Sequence, residues 1–512
     1  MSVSIYNLLA AEPPWFWFSV EAALHIAVFL LVTYSCLKTR REATSALLWI
    51  FVAWSFPLIG PLSYLLFGIN RVPRKAWRKQ RADNEFRSER QARSGKSLAG
   101  IGQSLPLVYW RAVHDSSAVQ PTDAEAQALN KTLDPILPDY PLLCGNAIEP
   151  LVDGDQAYPQ MLSAIRGARH HVHLQTFIVW NDAISREFLD SLAEKARQGV
   201  RVRFMFDSFG STGAVLSRLF FRYRRVPNMR IVGWTQANPL KRLVQLNLRN
   251  HRKILVVDGE KAFMGGINLR QENLARPGAP AIRDYHFAVS GGIVQELQYS
   301  FLRDWYFMTD EDPDVLLQPA HFPRLKAVGP ALIRVANSGP TPDEMEILSK
   351  VFFECLVAAR QRLLVATPYF VPPRDILQAL CSAARRGVEV ALVVPRINNH
   401  RYAGLAGQSL YDDVLKAGVR IYQRRAPFMH AKALIVDDIL AFVGSANLDV
   451  RSLRLNYETN LIVYDPAFIT ALKQIVLNEI AASDELETDA WEARGQFQRI
   501  LENFCNLLMP VL

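Results

Sequence analysis

The chain has 512 residues, half of them apolar, and a formal net charge of +9 at pH 7. Its length allows two or three domains with sizeable hydrophobic cores, and its basic balance favours anionic partners such as lipid head groups or nucleic acid. The five cysteines are scattered without a CxxC pair, which excludes a cysteine-based metal site and indicates free thiols in a reducing compartment.

Two apolar segments open the chain. The first, residues 14–37, is long enough to span a bilayer, which takes about 20 helical residues. No basic region precedes it and no small-residue cleavage site follows it, so a cleaved signal peptide is not expected. The second, residues 45–68, contains Pro57 and Pro61, which predict a kinked span or a re-entrant hairpin. Together they predict a multi-pass membrane anchor over residues 1–68.

A basic cluster follows the anchor. Its members are Arg71, Arg74, Lys75, Arg78, Lys79 and Arg81. Cations beside a membrane segment are each worth about 1 kcal/mol against an anionic leaflet. The cluster therefore predicts a basic juxtamembrane connector over residues 69–135 that contacts anionic membrane lipids, and it places the rest of the chain in the cytoplasm.

The remainder of the chain predicts two α/β domains, residues 136–335 and residues 336–512. In the first, a helix over residues 185–198 ends at Gly199 and an apolar strand follows it; in the second, an equivalent helix over residues 375–386 is again followed by a strand. The segments RQGVRVRFMF and RRGVEVALVV are visibly alike, which indicates that whole domains are duplicated. The last residues, FQRILENFCNLLMPVL, predict a helix with an apolar end.

Each half carries one copy of a repeated motif, NHRKILVVDGEKAFMGGINL at residues 250–269 and MHAKALIVDDILAFVGSANL at residues 429–448. Both copies place the same kinds of side chain at the same spacing. The first set is His251, Lys253, Asp258, Gly265, Gly266 and Asn268, and the second is His430, Lys432, Asp437, Gly444, Ser445 and Asn447.

The spacing predicts a β-hairpin in each copy. Residues two apart on a strand share a face, so His251 and Lys253 point the same way and Asp258 does not share their face. Asp258-Gly259 is a hairpin signal, and a chain that folds back around Gly259-Glu260 pairs residues whose numbers sum to about 519, which brings His251 beside Asn268 and Lys253 beside the two glycines. The second copy gives the same result. Each hairpin therefore gathers an imidazole, an ammonium and an amide at one end, with small residues that leave room for a ligand.

This set of side chains suits a phosphoryl group. Lysine and asparagine can hold non-bridging oxygens, and a neutral histidine can attack phosphorus or accept a proton. One histidine per copy, without a carboxylate or cysteine on the same face, is a poor metal site, so no metal and no cofactor are expected. A lone histidine on an apolar strand is usually a packed core residue, but a buried lysine two residues away and the repetition of the whole pattern favour a functional site.

The two copies resemble the HKD motif of the phospholipase D superfamily. The segments GNAIEPLVDG, FDSFGS, TPYFVP and GSANLDVRSLRLNYE are similar to those of bacterial cardiolipin synthases. This resemblance implies two tandem phospholipase D-like α/β/α domains, related by a pseudo-two-fold axis, whose motifs meet in one active site. It also implies a carboxylate downstream of each asparagine that holds the histidine: Glu458 fits this role in the second copy, and Asp284 is the candidate in the first.

The resemblance further implies that two phosphatidylglycerol molecules give cardiolipin and glycerol at the inner membrane of a bacterial cell. His251 would become phosphorylated and His430 would protonate the leaving group. The motif alone also allows a phospholipase D that releases phosphatidic acid, a transferase with another donor or acceptor such as phosphatidylethanolamine, and an inactive lipid-binding scaffold. A nuclease is disfavoured because a membrane anchor serves it poorly, so nucleic acid is not an expected partner. The oligomeric state stays open.

Overall fold

The computed structural model describes residues 14–38, 43–65, 72–96, 119–234 and 249–508. These residues form two compact units, one that ends at Pro73 and one that begins at Arg74. The second unit contains both repeated motifs.

The first unit is a small helical assembly. Its helices are α1 (Pro14–Lys38), α2 (Ala43–Ser55) and α3 (Ile59–Ser63). Among the described residues, α1 is the one helix whose length and apolar composition suffice to cross a membrane, over Ser19–Lys38. The run predicted as a second membrane segment is broken after Ser55, and α2, with 13 residues, is only about 20 Å long against a hydrocarbon core of about 30 Å. One candidate span is therefore present in this part of the chain.

The second unit is an α/β structure built on one mixed sheet of 15 strands. Its strands are β1 (Leu143–Val152), β2 (His171–Thr176), β3 (Arg201–Phe206), β4 (Met229–Gly233), β5 (Ile254–Val257), β6 (Lys261–Gly265), β7 (Tyr285–Ser290), β8 (Ala331–Ser338), β9 (Arg362–Ala366), β10 (Phe370–Val371), β11 (Glu389–Pro395), β12 (Arg420–Arg424), β13 (Ala433–Val436), β14 (Leu440–Gly444), β15 (Leu448–Asp449), β16 (Glu458–Tyr464) and β17 (Ser483–Glu485). All belong to the large sheet except β10 and β15, which pair with each other.

The unit also contains helices, several of which pack against this sheet and bury its apolar side chains. They are α4 (Val72–Lys96), α5 (Ala124–Leu133), α6 (Asp153–Gly167), α7 (Ala183–Arg197), α8 (Thr212–Leu216), α9 (Ile293–Thr309), α10 (Pro313–Leu316), α11 (Ile347–Ala358), α12 (Arg374–Arg385), α13 (Arg401–Gln408), α14 (Tyr411–Lys416), α15 (Val450–Arg454), α16 (Pro466–Ala481), α17 (Thr488–Glu492) and α18 (Gln496–Leu508), with short 3₁₀ turns at Leu219–Tyr223, Gln271–Asn273 and Pro319–His321. The predicted helix that ends at Gly199 is α7, and Gly199 has φ of 97°, the left-handed conformation that a glycine after a helix end accommodates.

The order of the strands shows the duplication. The sheet reads β17-β12-β11-β9-β13-β14-β16-β8-β1-β7-β6-β5-β2-β3-β4, so the first-half order β1-β7-β6-β5-β2-β3-β4 is repeated, strand for strand, by β8-β16-β14-β13-β9-β11-β12. The two orders run outward from the antiparallel pair of β1 and β8. This mirror order is the pseudo-two-fold relation predicted for tandem phospholipase D-like domains, and it confirms the fold class.

Two predicted boundaries differ from the structure. The boundary between residues 335 and 336 falls inside β8, which pairs with both β1 and β16, so the two halves share one sheet. The predicted connector includes α4, whose Lys79 and Phe86 are fully buried.

The membrane prediction for the basic cluster is wrong at Lys79. Its ammonium lies in the core, ion-paired with Asp83 and 3.3 Å from the Asp304 carboxylate on α9. Arg78 and Arg81, by contrast, are exposed on α4. Arg71, residues 69–70 and residues 97–118 lie outside the described residues.

Candidate active site

Each repeated motif forms a hairpin, as predicted. In the first copy Ile254 pairs with Met264, and in the second Ala433 pairs with Val443. The numbers of paired residues in the first copy sum to 518, one less than predicted, because the turn contains three residues, 258–260, and not two. Beyond the paired residues this register places Lys253 opposite Gly265. The hairpins β5-β6 and β13-β14 occupy equivalent positions on the two sides of the mirror order.

The first histidine is held by the second half of the chain. His251 Nδ1 lies 3.0 Å from Glu458 Oε2 and 3.1 Å from the carbonyl oxygen of Ser445. Its backbone N–H donates to the carbonyl of Tyr457 at 2.9 Å. The imidazole is buried and is therefore fixed in position by groups that lie more than 190 residues away in sequence.

The second histidine is held in the same way by the first half. His430 Nδ1 lies 2.7 Å from Asp284 Oδ2, and its backbone N–H donates to the carbonyl of Arg283 at 2.7 Å. Glu458 and Asp284 thus both bind a ring, as predicted, but each binds the ring of the opposite copy. The assignment of each carboxylate to the histidine of its own copy is corrected: the pairs are His251 with Glu458 and His430 with Asp284.

Burial and neighbouring charges set the protonation of the two rings. Burial lowers the pKa of His251, partly offset by Glu458. Burial and the adjacent Lys432 ammonium lower the pKa of His430 to about 3. Both imidazoles are therefore neutral in the empty site, and a ring that donates from Nδ1 to a carboxylate carries its lone pair on Nε2.

The carboxylates remain ionised beside them. Burial raises the pKa of Asp284, but Lys432 and His430 outweigh it, so the net shift is downward. At Glu458 burial is likewise outweighed, by His251 and Lys253.

The two lysines lie beside the histidines of their own motifs. Lys253 Nζ donates to the carbonyl of His251 at 2.6 Å, and Lys432 Nζ donates to the carbonyl of His430. Burial lowers the pKa of Lys253 to about 7 and that of Lys432 to about 8, because it penalises the ammonium form. An anion that enters the site would raise both pKa values and so favour the ammonium forms.

The small residues of the motifs make the crossed contacts possible. A Cβ on Gly266 would collide with Asp284 Oδ1, so only glycine lets this carboxylate approach the hairpin. Ser445, at the equivalent position, donates from its hydroxyl to Glu458 Oε2 at 2.5 Å. The two halves therefore brace their carboxylates by different means.

The two asparagines lie at the ends of the hairpins. Asn268 Oδ1 accepts the N–H of Ile178 at 3.0 Å, which fixes its amide plane. Asn447 is buried, and its Oδ1 has no hydrogen-bond partner among the described residues. Both are in the part of the hairpin that carries the histidine and lysine, as the spacing predicts.

The two motif aspartates do not join the reacting groups. Asp258 lies at the turn end of its hairpin with φ of 53°, where its carboxylate accepts the N–H groups of Arg169, His170 and His171 at 2.8–2.9 Å. Asp437 does the same for residues 360, 361 and 362. The prediction that Asp258 and Asp437 are catalytic is therefore corrected, since an odd spacing from the lysine directs them away from it.

Two aromatic rings were missed by the sequence analysis. Phe177 lies with its ring centroid 4.9 Å from that of His251, and Tyr369 lies 6.3 Å from His430. They follow β2 and β9, which are equivalent strands. The signal was available in sequence, because Thr176-Phe177 and Thr367-Pro368-Tyr369 stand at the same point of the two repeats.

The arrangement is suited to acid–base and nucleophilic chemistry on one phosphodiester. Two neutral imidazoles, each oriented by a carboxylate, and two lysines come together from both halves of the chain. Within the described ranges, no group of three or more histidine, cysteine, aspartate or glutamate side chains is arranged to hold a metal ion.

Comparison with known proteins agrees with this geometry. The family model described as "Cardiolipin synthase, PLD-like domain" matches residues 161–305 and 352–479, which include both hairpins. The cardiolipin synthase of Alkalihalophilus pseudofirmus is 32% identical over 480 residues, which are 92% of this chain and 90% of that protein. The chain belongs to the cardiolipin synthase family. A second member of this family, the cardiolipin synthase of Halalkalibacterium halodurans, is 32% identical over an alignment that includes 100% of this chain and 97% of that protein.

The N-terminus and the fold also match. A model described as "Phospholipase_D-nuclease N-terminal" covers residues 27–68, and with the apolar helix α1 it associates this cardiolipin synthase family member with a membrane. The crystal structure of phosphatidylserine synthase from Haemophilus influenzae superimposes with a TM-score of 0.58 over 75% of this chain and 100% of that one, at 17% sequence identity. That likeness shows a shared fold. The resemblance to the phospholipase D superfamily that the motifs predicted is confirmed.

Proposed function

We propose that this enzyme transfers the phosphatidyl group of one phosphatidylglycerol to a glycerol hydroxyl of a second, and so makes cardiolipin and free glycerol. The observation that carries the proposal is the crossed pairing of His251 with Glu458 and of His430 with Asp284. This pairing joins the two motifs into one site with two oriented imidazoles, which is what a double displacement at phosphorus requires.

The first step uses His251 as nucleophile. Its Nδ1–H donates to Glu458, so Nε2 carries the lone pair that attacks phosphorus. A phosphorus–nitrogen bond forms and the bond from phosphorus to the glycerol oxygen breaks. The negative phosphodiester raises the pKa of His430, which takes up a proton and donates it to the departing glycerol.

The second step reverses these roles. Neutral His430 accepts the proton of a glycerol hydroxyl on the second phosphatidylglycerol, and that oxygen attacks the phosphohistidine. The phosphorus–nitrogen bond breaks and His251 is regenerated. Lys253, Lys432, Asn268 and Asn447 hold the non-bridging oxygens in both steps, and the two lysines offset their charge. Gly266 and Ser445 keep the orienting carboxylates in place.

The membrane arrangement follows from the substrate. We infer that the span in α1 holds the protein in the bacterial inner membrane and that the catalytic unit is cytoplasmic. The apolar composition of α1 and its exposed side chains Leu24, Leu30 and Leu31 support this placement.

One assay tests the reaction. Purified full-length protein is given phosphatidylglycerol vesicles, and the lipid products are identified by mass spectrometry. Cardiolipin with an equal amount of glycerol supports the proposal. Phosphatidic acid would identify a hydrolase, and no turnover would identify a lipid-binding scaffold.

The matched variants are His251→Ala and His430→Ala. Each should reduce turnover by at least about 10²-fold, because each removes one partner of the double displacement. Membrane association should be unchanged in both. Wild-type turnover in either variant would refute the shared site.

A further inference from the structure

The C-terminal helix α18 presents its apolar side chains to solvent. Large side chains at the spacing of one helix face are exposed: Phe497, Ile500, Leu501, Phe504 and Leu507. We call these five residues the outer face. Phe497 and Leu507 are 79% and 77% exposed, whereas Glu502, the one carboxylate of this helix, is fully buried. The helix therefore buries its carboxylate and exposes its apolar face, which is the reverse of an ordinary surface helix.

Specific contacts fix this orientation. Arg494 donates to Glu502 Oε2 at 3.1 Å and to Asp412 Oδ1 at 2.9 Å, and its guanidinium lies 4.0 Å from the centroid of the Trp491 ring. Trp491 in turn donates to Asp412 at 2.8 Å. Turning the outer face inward would carry Glu502 out to solvent and leave the buried Arg494 guanidinium without this carboxylate, which is costly. The exposure of the outer face is thus built into the fold.

The helix is connected to the active site through one layer of packing. α18 packs along α13, and its Cys505 is buried against Val371 and Ala406. Val371 is two residues from Tyr369, whose ring contacts both His430 and His400. The buried side of α18 therefore lies close to the part of the second half that carries His430.

We propose that the outer face of α18 is a bilayer contact that inserts into the lipid surface from which the active site takes its substrate. This inference rests on the proposed function, since a lipid substrate must leave a bilayer to reach two buried imidazoles. The face bears no carboxylate that an anionic lipid surface would repel, and apolar side chains on one helix face are the pattern of interfacial helices.

A second copy of the chain is a poorer occupant. Five side chains of this kind, partly exposed, offer on the order of 600 Å² of surface, below the roughly 800 Å² per partner of a stable protein interface. Contact with a bilayer needs no such minimum area, because each inserted apolar side chain adds its own favourable free energy of transfer from water.

The first test compares two ways of presenting phosphatidylglycerol to full-length enzyme. The variant is Ile500→Gln with Phe504→Gln, which keeps good helix formers and removes two outer-face side chains. On vesicles its KM, expressed as surface concentration, should rise at least about tenfold. On short-chain phosphatidylglycerol below its critical micelle concentration, kcat/KM should stay within about twofold of wild type, because no interface is involved.

The control is Val328→Gln, which removes an apolar side chain of equal exposure, 55% against 56% for Phe504. It should behave as wild type in both assays. A double variant with wild-type KM on vesicles would overturn the inference. Absence of cardiolipin from wild type in both assays would instead refute the proposed function, so the two failures are distinguishable.

The second test needs no activity. Cys144 is the exposed cysteine among the described residues, so Cys144→Ser gives a background in which Phe504→Cys can be labelled with an environment-sensitive fluorophore. In proteoliposomes that contain phosphatidylglycerol, the emission should shift to the blue and be quenched by lipid-borne quenchers, and a label at Val328→Cys should show neither change. A water-like emission at position 504, or a shift that depends on protein concentration and not on lipid, would overturn the inference in favour of solvent or a second copy.

Discussion

At the scale of residues, the proposed active site depends on four side chains that pair between the two halves of the chain. His251 is oriented by Glu458, and His430 is oriented by Asp284. Each histidine N–H also donates to the carbonyl of the residue just before its carboxylate, Tyr457 or Arg283. Neither half therefore has a complete histidine–carboxylate pair of its own, and the proposed chemistry requires both halves.

This exchange predicts which histidine each carboxylate variant affects. Glu458→Gln should lower turnover by about 10²-fold or more, since the loss of an orienting carboxylate leaves the ring in the wrong tautomer. It should also change the rate at which diethyl pyrocarbonate modifies His251 and leave that of His430 unchanged, as measured by peptide mass spectrometry. Asp284→Asn is the matched control with the opposite pattern. A Glu458 variant that alters His430 alone would contradict the exchange.

The lowered pKa values of the two lysines predict the pH dependence of substrate capture. Because burial lowers the pKa of Lys253 to about 7 and that of Lys432 to about 8, the free enzyme loses both ammonium charges as the pH rises through this range. The value of kcat/KM reports the protonation of the free enzyme. It should therefore decrease as the pH rises, with the steepest decrease at about pH 7–8, where the two lysines lose their protons.

The kcat profile should decline only at higher pH, since a bound phosphodiester raises the pKa of both lysines. Lys253→Arg keeps its charge throughout and should lose part of the kcat/KM decline. A kcat/KM that rises from pH 7 to 8 would show that the charged lysines do not capture the substrate.

At the scale of elements, each catalytic hairpin is divided into a chemical end and a structural end. The histidine and lysine stand at one end, and the aspartate of the motif stands at the turn, where it binds three backbone N–H groups. The aspartate of each motif therefore links its hairpin to the residues at the start of a neighbouring strand, β2 for Asp258 and β9 for Asp437. The equal spacing from histidine to aspartate in the two motifs therefore serves the folding of the hairpin as well as the proposed chemistry.

This division predicts a stability effect at Asp258. Asp258→Ala removes the acceptor of three N–H groups and places alanine at a positive φ, so it should destabilise the enzyme by about 2–4 kcal/mol. Under conditions where the variant is folded, kcat should stay within about threefold of wild type. The unfolding midpoint and the steady-state rate measure the two effects, and a loss of kcat without a loss of stability would return Asp258 to the catalytic group.

At the scale of the whole molecule, one mirror-ordered sheet brings the two hairpins together. The halves meet at β1 and β8, and helices α4 and α9 close the unit with a network of buried charges. Asp304 lies at its centre, 2.8 Å from Arg252 and 3.3 Å from Lys79, and these cations hold its pKa well below the usual range against burial. Since Arg252 stands between His251 and Lys253, the network also supports the catalytic hairpin.

Two neighbouring cations of α4 test this role. Lys79→Met leaves the buried carboxylates of Asp83 and Asp304 short of one partner and should destabilise the second unit by about 3–5 kcal/mol. Arg78→Gln changes an exposed residue one position earlier and should leave the unfolding midpoint unchanged. Equal effects of the two variants would show that α4 is a loose connector, as its composition predicts.

The sequence by itself determined the two repeated motifs and the duplication of the domains. The repeated spacing of histidine, lysine and asparagine predicts the two hairpins, because residue spacing alone fixes which side chains share a strand face. The same repeated motif also indicates the family. It also indicated that Asp258 lies on another face. Composition identified the apolar helix α1 as a candidate membrane span.

Only the tertiary structure decided which carboxylate serves which histidine, that Lys79 is a core residue, and that the apolar face of α18 points outward. Each of these depends on contacts between segments tens to hundreds of residues apart. Local pattern specifies the face of an element but not the element against which it packs. The exchange of Glu458 and Asp284 between halves follows from the mirror order of the sheet, which no single hairpin encodes.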